Sequence, residues 1–405
     1  MTARRHILGW AGTAAAALVL LTAILVWQSH QTAQRFTVYV PPKPVEGRLV
    51  FEQKGCTSCH GDNGLGSSSG PTLRSRATIS SLPQLVTAMW NHAPRMFEAM
   101  EQRKISYPDF SYEDTARLLS YLYMSGYADS SGDVENGRKL FVDKHCIRCH
   151  SSIDRTGGIA PAIPRMSDSV TPLGWTQSLW NHASTMQSKM KQQGVDWPQL
   201  QANDVRDLFA YVRHSSGHDG EFPFPAANPE NGWAVFQRKQ CIQCHSLHSG
   251  DPSSAPSLGT ESKLPVTYSD FGAAMLNHYP RMRVRMEANG TPMPVFRDLE
   301  MYDLVAFLYS LHYLEPPGSP QIGGSVFSWR GCAHCHGSRA EGTRQAPPLR
   351  GRGVVYTSTR LATNLWRHGS QMVRQSQQMG QRWPELKDTD VGDLLAFLNS
   401  PLEEP

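Results

Sequence analysis

Apolar residues recur along this 405-residue chain with the spacing of one helix face, and they do so in four similar blocks. Each block opens with a glycine and, four residues later, a phenylalanine, which places both on one side of a helix. These pairs are Gly47 and Phe51, Gly137 and Phe141, Gly232 and Phe236, and Gly323 and Phe327. Each block closes with an aliphatic run around one aromatic residue, namely Tyr121, Tyr211, Phe307 or Phe397. No stretch alternates apolar and polar residues as a half-buried strand does, so the pattern predicts an all-α fold.

A third amphipathic segment lies inside each block, and in it a histidine precedes a methionine by four residues. These pairs are His92 and Met96, His182 and Met186, His278 and Met282, and His368 and Met372. Each segment is followed by a large residue directly before a proline, namely Tyr107, Trp197, Met293 or Trp383. The sequence therefore predicts a long helix in the middle of each block, followed by a turn.

All eight cysteines of the chain lie in four C-x-x-C-H motifs whose first cysteines are 90, 95 and 91 residues apart. Such a motif is the attachment signature of a c-type haem. Its thiols share one face of a helical turn and can each form a thioether, and the histidine then reaches the iron. The predicted attachment and proximal-ligand residues are Cys56, Cys59 and His60; Cys146, Cys149 and His150; Cys241, Cys244 and His245; and Cys332, Cys335 and His336.

Two other uses of a C-x-x-C pair fit this pattern less well. A thioredoxin-like dithiol would not require the following histidine four times. A zinc site would need motifs from different blocks to pair across roughly 90 residues. We therefore expect four covalently bound haem c groups, one in each block.

The first 28 residues are predicted to anchor the chain in a membrane. Residues 7–27 carry no charge, and 21 residues at about 1.5 Å each span the hydrocarbon core. A cleaved signal peptide would have a shorter apolar region and a small-x-small site behind it. Arg4 and Arg5 precede the run and should stay in the cytoplasm, which places the rest of the chain on the periplasmic side.

The boundaries of the remaining regions follow from short polar or proline-rich breaks. Residues 29–45 form a proline-rich, semi-rigid linker. Domains 1 to 4 are predicted at 46–128, 133–215, 229–314 and 321–402. The net charge of +4 is small for this length and argues against a nucleic-acid partner.

Each block resembles a class I cytochrome c domain, through its Gly/Phe helix, its haem motif, a proline 15 residues after the first cysteine, and its closing helix with an aromatic residue. The resemblance implies that the first and last helices cross at the glycine and the closing aromatic. It also implies that a proline carbonyl accepts the Nδ1–H of the proximal histidine, and that haem attachment takes place outside the cytoplasmic membrane. The prolines are Pro71, Pro161, Pro256 and Pro347.

The sixth iron ligand departs from the family, in which a methionine just before the last helix usually serves. Only Met293 occupies that place, so several sets stay open. The favoured set is the methionine row Met96, Met186, Met282 and Met372. Other candidates are Met100, Met190, Met286, Met293 and Met379, and the histidine row His92, His182, His278 and His368.

A six-coordinate haem passes single electrons and offers no open site to a substrate. We therefore expect an electron carrier and not an enzyme, which relays electrons between a membrane redox complex and a periplasmic partner. It would serve as a subunit of, or donor to, a respiratory or photosynthetic complex. The alternative is a haem enzyme, a peroxidase or reductase with one five-coordinate haem.

Overall fold

The computed structural model describes residues 43–74, 81–151, 158–162, 171–201, 203–218, 227–247, 253–259, 262–313, 318–387 and 389–401. The predicted anchor and nearly all of the proline-rich linker lie outside these residues. Of the helices that are described, none has the length and apolar character needed to span a bilayer. Regular structure in the described part is helical, apart from two isolated bridges, Ser67 to Gly70 and His150 to Ala160, which agrees with the all-α prediction.

Three main helices repeat in each domain, in the order that the apolar pattern predicts. The opening helices are Pro44–Gln53, Val134–Asp143, Pro229–Arg238 and Pro320–Trp329. The long helices are Leu82–Gln102, Pro172–Gln192, Tyr268–Ala288 and Ser358–Gln378. The closing helices are Tyr112–Ser125, Asp204–Ser215, Glu300–Ser310 and Asp390–Asn399.

Side-chain caps start the four long helices. Ser81, Thr171, Thr267 and Thr357 each accept a hydrogen bond from the backbone N–H three residues ahead. This satisfies one of the free donors at each helix start. The long helices therefore begin at fixed places relative to the haem motifs.

The opening and closing helices cross where the sequence predicts. A β-carbon on Gly47 would lie 1.9 Å from the carbonyl oxygen of Arg117, far inside contact distance. The equivalent distances are 1.9 Å for Gly137, 1.9 Å for Gly232 and 2.0 Å for Gly323. Beside each crossing the phenylalanine meets the closing aromatic at 5.3–5.7 Å between ring centroids. Only glycine allows this approach, so the predicted crossing is confirmed in all four domains.

Domains 2 and 3 form a pair through their long helices. Asn277 donates to the carbonyl of Leu200 at 2.8 Å and accepts from its N–H at 2.8 Å. Asn181 makes the same two bonds to Phe296, at 2.7 and 2.9 Å. Each domain thus clamps the turn before the closing helix of its partner, in a reciprocal arrangement.

Domains 1 and 4 form a second pair, although they lie at opposite ends of the described chain. Asn91 bonds the carbonyl and the N–H of Leu386, both at 2.8 Å. At the equivalent position, domain 4 has Arg367, whose Nε donates to the carbonyl of Phe110 at 3.2 Å. In the same contact, the rings of Trp90 and Trp383 stack with their centroids 4.7 Å apart.

A joint rich in tyrosine connects domain 1 to domain 3. Tyr127 stacks on Tyr309 at 3.9 Å, and the hydroxyl of Tyr123 donates to the Tyr309 carbonyl at 3.1 Å. The carboxylate of Asp129 accepts from the N–H of Ser269 at 3.1 Å. These groups are buried. The contacts between domains thus run from domain 4 to 1, from 1 to 3, and from 3 to 2, and not in chain order.

Candidate haem sites

The haem motifs leave the opening helices through one left-handed residue directly before the first cysteine. These residues are Gly55, His145, Gln240 and Gly331, with φ of 77°, 63°, 62° and 82°. Glycine adopts this conformation freely, whereas a side chain at this position costs about 1–2 kcal/mol. The same turn is present in all four domains, so it sets the direction of the thiols.

The proximal histidines are held by the prolines that the resemblance implies. The Nδ1 atom of His60 lies 3.0 Å from the carbonyl oxygen of Pro71. The other three pairs, His150 with Pro161, His245 with Pro256 and His336 with Pro347, lie at 2.9, 2.8 and 3.0 Å. A carbonyl only accepts, so Nδ1 carries the proton and Nε2 keeps its lone pair for a metal.

The first cysteine of each motif is half-buried. Burial raises the pKa of Cys56, Cys146, Cys241 and Cys332 to about 11. A thiol–disulfide redox site requires the opposite, a lowered pKa and an accessible thiolate. The raised pKa of these four thiols therefore disfavours the dithiol interpretation.

The zinc interpretation also lacks support in the described part of the chain. No group of three or more His, Cys, Asp and Glu side chains there converges as the ligands of a metal ion do.

A crevice of about 300 Å³ lies against the motif of domain 3. Cys241, Cys244 and His245 line one side, and the long helix lines the other with His278, Met282 and Met286. The two walls thus combine covalent attachment points, one imidazole with a free Nε2, and further metal-binding atoms opposite it. Haem c fits this donor set, since two thiols bind the porphyrin edge while the axial positions take nitrogen or sulfur.

In domain 3 the candidate sixth ligands of the long helix, His278, Met282 and Met286, line the crevice, whereas Met293 does not. Met293 is absent from the residues that line the crevice of domain 3. In domains 2 and 4 the same place before the closing helix holds Trp197 and Trp383, whose indole N–H groups donate to Leu276 and Trp90 of the partner domain. Met379 is largely exposed. The methionine row Met96, Met186, Met282 and Met372 is half-buried and stays a prediction.

The histidine row divides into two kinds. The rings of His92 and His278 lie 6.2 Å from those of His60 and His245, with interplanar angles of 62° and 63°. Burial and the nearby proximal histidine lower the pKa of both His92 and His278. His182 and His368, in domains 2 and 4, are exposed.

The role of the large residue before the closing helix was missed by sequence reasoning. Trp197 and Trp383 fill a place where the family usually has an iron ligand, and they serve instead as donors across the domain pairs. Two sequence features that divide the four domains in the same way could have indicated this role. Only domains 2 and 4 have tryptophan there, and only domains 1 and 3 have a proline, Pro94 or Pro280, inside the long helix.

The fold and these sites together are those of tandem all-α domains of the kind that bind haem covalently. The family model described as "Cytochrome c" matches residues 44–123, 134–216, 229–312 and 321–401, which is most of the chain. The chain therefore belongs to the cytochrome c family, with four such domains in tandem.

A Cbb3-type cytochrome c oxidase subunit FixP from Sinorhizobium medicae (strain WSM419) is a similar protein, with 27% identity over 184 residues. The match covers 42% of this chain and 59% of that subunit. No solved structure matches the chain.

Proposed function

We propose that this chain relays single electrons through four covalently bound haem c groups. The observation that carries the proposal is the fourfold repetition of one arrangement. A C-x-x-C pair precedes a histidine whose Nδ1 is bound to a proline carbonyl within 2.8–3.0 Å. Membership of the cytochrome c family supports the same cofactor.

The haem supplies reversible one-electron chemistry, and the chain's own residues bind and tune it. The cysteine pairs hold the porphyrin edge, and His60, His150, His245 and His336 are the proposed proximal ligands. The proline carbonyls would fix each imidazole ring with its Nε2 free to bind the iron. Each long helix supplies the sixth ligand, for which the row Met96, Met186, Met282 and Met372 is the prediction from the sequence.

The partners are a membrane redox complex and a second carrier on the periplasmic side. Similarity to a subunit of a Cbb3-type oxidase supports a place in, or beside, a respiratory oxidase complex. The uncharged run at residues 7–27 supports attachment to the cytoplasmic membrane. In this proposal the chain passes electrons and converts no substrate.

Mass spectrometry of the purified full chain tests the cofactor. Expression in a host that matures c-type cytochromes should give a polypeptide carrying four haem masses. The double variant Cys241→Ala, Cys244→Ala should carry three, which assigns one haem to domain 3. A polypeptide without haem would overturn the proposal.

Rapid mixing tests the role. The reduced chain, mixed with membranes that contain a Cbb3-type oxidase, should be oxidised at all four haems. In the wild-type chain no haem should bind carbon monoxide quickly, because all irons are six-coordinate. Rapid binding at one haem, together with turnover of peroxide, would favour the haem enzyme instead.

Removal of residues 1–28 behind a cleavable signal tests the anchor. The shortened chain should leave the membrane fraction and keep its four haems. Retention on the membrane would show that another part of the chain, or a bound partner, holds it there.

A further inference from the structure

Two of the four domains place a second histidine directly opposite the proximal one. In domain 1 the ring centroids of His60 and His92 are 6.2 Å apart, and in domain 3 those of His245 and His278 are also 6.2 Å apart. The interplanar angles of 62° and 63° agree as well. The two domains, which share the segment Asn-His-x-Pro-Arg-Met around this histidine, therefore repeat one geometry.

The distance fits one metal atom between the two rings. An imidazole nitrogen binds a transition metal at roughly 2 Å, so two imidazoles on opposite sides of one iron hold their centroids roughly 6 Å apart. A direct N–H···N hydrogen bond would bring the rings closer, and no such bond joins these pairs. Within the described residues, the His92 and His278 side chains have no hydrogen-bond partner that would explain their positions.

The proximal rings are oriented toward this gap. The Pro71 and Pro256 carbonyls take the Nδ1–H of His60 and His245, which leaves the opposite nitrogen, Nε2, free to bind the iron. His278 lines the same crevice as Cys241, Cys244 and His245. In domain 3 the cysteine pair, the proximal histidine and the second imidazole therefore line one cavity.

The other two domains differ at the same sequence position. His182 and His368 are exposed, and among the described residues neither ring contacts that of His150 or His336. His182 still lies near enough to His150 to lower the pKa of that ring, after the larger effect of burial. Their long helices also lack the internal proline that domains 1 and 3 carry at Pro94 and Pro280. The histidines of domains 1 and 3 therefore differ from those of domains 2 and 4 in burial and in ring contact with the proximal histidine.

We infer that His92 and His278 are the sixth iron ligands of domains 1 and 3, in place of Met96 and Met282. These two haems are then bis-histidine and have lower reduction potentials than the haems of domains 2 and 4, for which Met186 and Met372 stay the predicted ligands, because a methionine ligand raises the potential. The inference rests on the proposed function, since it requires haem in the sites.

Carbon monoxide binding to the haem-loaded full chain tests it. His92→Ala and His278→Ala should each open one iron, so that about one quarter of the ferrous haem binds carbon monoxide rapidly, and the double variant should open about half. Met96→Ala and Met282→Ala should leave all irons closed, as should His182→Ala and His368→Ala. Added imidazole should close the opened sites again.

A second pair of variants keeps the test decisive if an alanine variant loses haem. His92→Met and His278→Met retain a sixth ligand, and each should convert one ferric haem from a bis-histidine to a histidine–methionine spectrum in near-infrared magnetic circular dichroism. Each should also raise the potential of that haem in a redox titration.

The opposite result would overturn the inference. If Met96→Ala or Met282→Ala opened an iron while the histidine variants stayed closed, methionine would be the ligand in domains 1 and 3. A haem count separates this from failure of the proposed function. Four haems per chain with closed histidine variants reject the ligand assignment alone, whereas fewer than four in the wild-type chain reject the proposed function.

Discussion

The two domain pairs are built on one plan, but the pair of domains 2 and 3 completes it and the pair of domains 1 and 4 does not. Asn181 and Asn277 clamp each other's domain with two hydrogen bonds apiece. In the other pair only Asn91 does so. Its counterpart is Arg367, which makes one bond to Phe110 and a loose 3.9 Å contact with the exposed Asp109.

A second difference lies in the tryptophans of the long helices. Trp180 donates its Nε1–H to the carbonyl of Pro294 at 2.8 Å, and Trp90 donates to Pro384 at 2.7 Å. At the equivalent position of the partner domain, domain 3 has Leu276, whose side chain has no hydrogen-bond donor. Domain 4 has Trp366 there, and its buried Nε1 has no hydrogen-bond partner among the described residues.

The shared plan depends on a proline in one member of each pair. Pro94 and Pro280 lack an N–H, which frees the carbonyl four residues earlier in the helix. Those carbonyls belong to Trp90 and Leu276, and they accept the indole N–H of Trp383 and Trp197 at 3.0 and 2.9 Å. Domains with the helix proline therefore pair with domains that have the loop tryptophan, which makes the pairing specific.

The largest expected difference between the pairs comes from their clamps. Asn277→Ala leaves both the N–H and the carbonyl of Leu200 without a partner, so we expect a loss of about 2 kcal/mol in the free energy of unfolding. Arg367→Ala removes one half-exposed bond and should cost less than about 1 kcal/mol. Guanidinium unfolding of the haem-loaded chain measures both. Equal losses would mean that the two clamps do not differ in strength.

The tryptophans should give the next largest contrast. Trp90→Phe leaves the Pro384 carbonyl unpaired and should cost about 1–2 kcal/mol. Trp366→Phe removes a donor that has no partner, so its lost contacts are offset by the removed desolvation penalty, and we expect a change near zero. Thermal unfolding of the two variants, which lose the same atoms, compares them directly. A larger loss for Trp366→Phe would show that its indole N–H does have a partner.

Arg367→Asn should repair the weaker pair. An asparagine at this position can bond the N–H and the carbonyl of Phe110 as Asn277 does with Leu200, so the free energy of unfolding should rise by about 1 kcal/mol. Slower hydrogen exchange in the turn around Phe110 would accompany this gain. A destabilised variant would indicate that the charge of Arg367 matters more than the missing clamp.

The smallest effect concerns salt. Domains 1 and 4 are joined by an exposed ion pair, Arg374 with Glu101 at 3.3 Å, whereas Arg283 of domain 3 bonds the neutral Gln187 of domain 2 at 2.9 Å. Glu101→Gln should cost about 0.3 kcal/mol at low ionic strength and nothing in high salt. Gln187→Ala, as the matched variant, should show no such salt dependence. The same salt response in both would assign the effect to the net charge of the chain.

The features that the sequence predicted well are those set by short and repeated spacings. The glycine of each opening helix and the proline carbonyl at each proximal histidine follow directly from residues that recur at one offset in every domain. Domain pairing was not predictable in the same way, because Trp90 and Trp383 are almost 300 residues apart and no local pattern states which domains meet. The sixth ligand stays a prediction. His92 and Met96 share one helix face, and the sequence alone could not show that the rings of His92 and His60 lie 6.2 Å apart.

The contact between domains 1 and 4 has a consequence for the order in which the chain is made. Domain 2 is followed at once by the domain that covers it, but in the proposed export domain 1 reaches the periplasmic side well before domain 4. Until then Trp90, Phe97 and Phe110 lack the tryptophans that cover them in the finished protein. Domain 1 therefore exposes an aromatic surface until domain 4 is present. We expect chains truncated before domain 4 to aggregate more readily than the full chain.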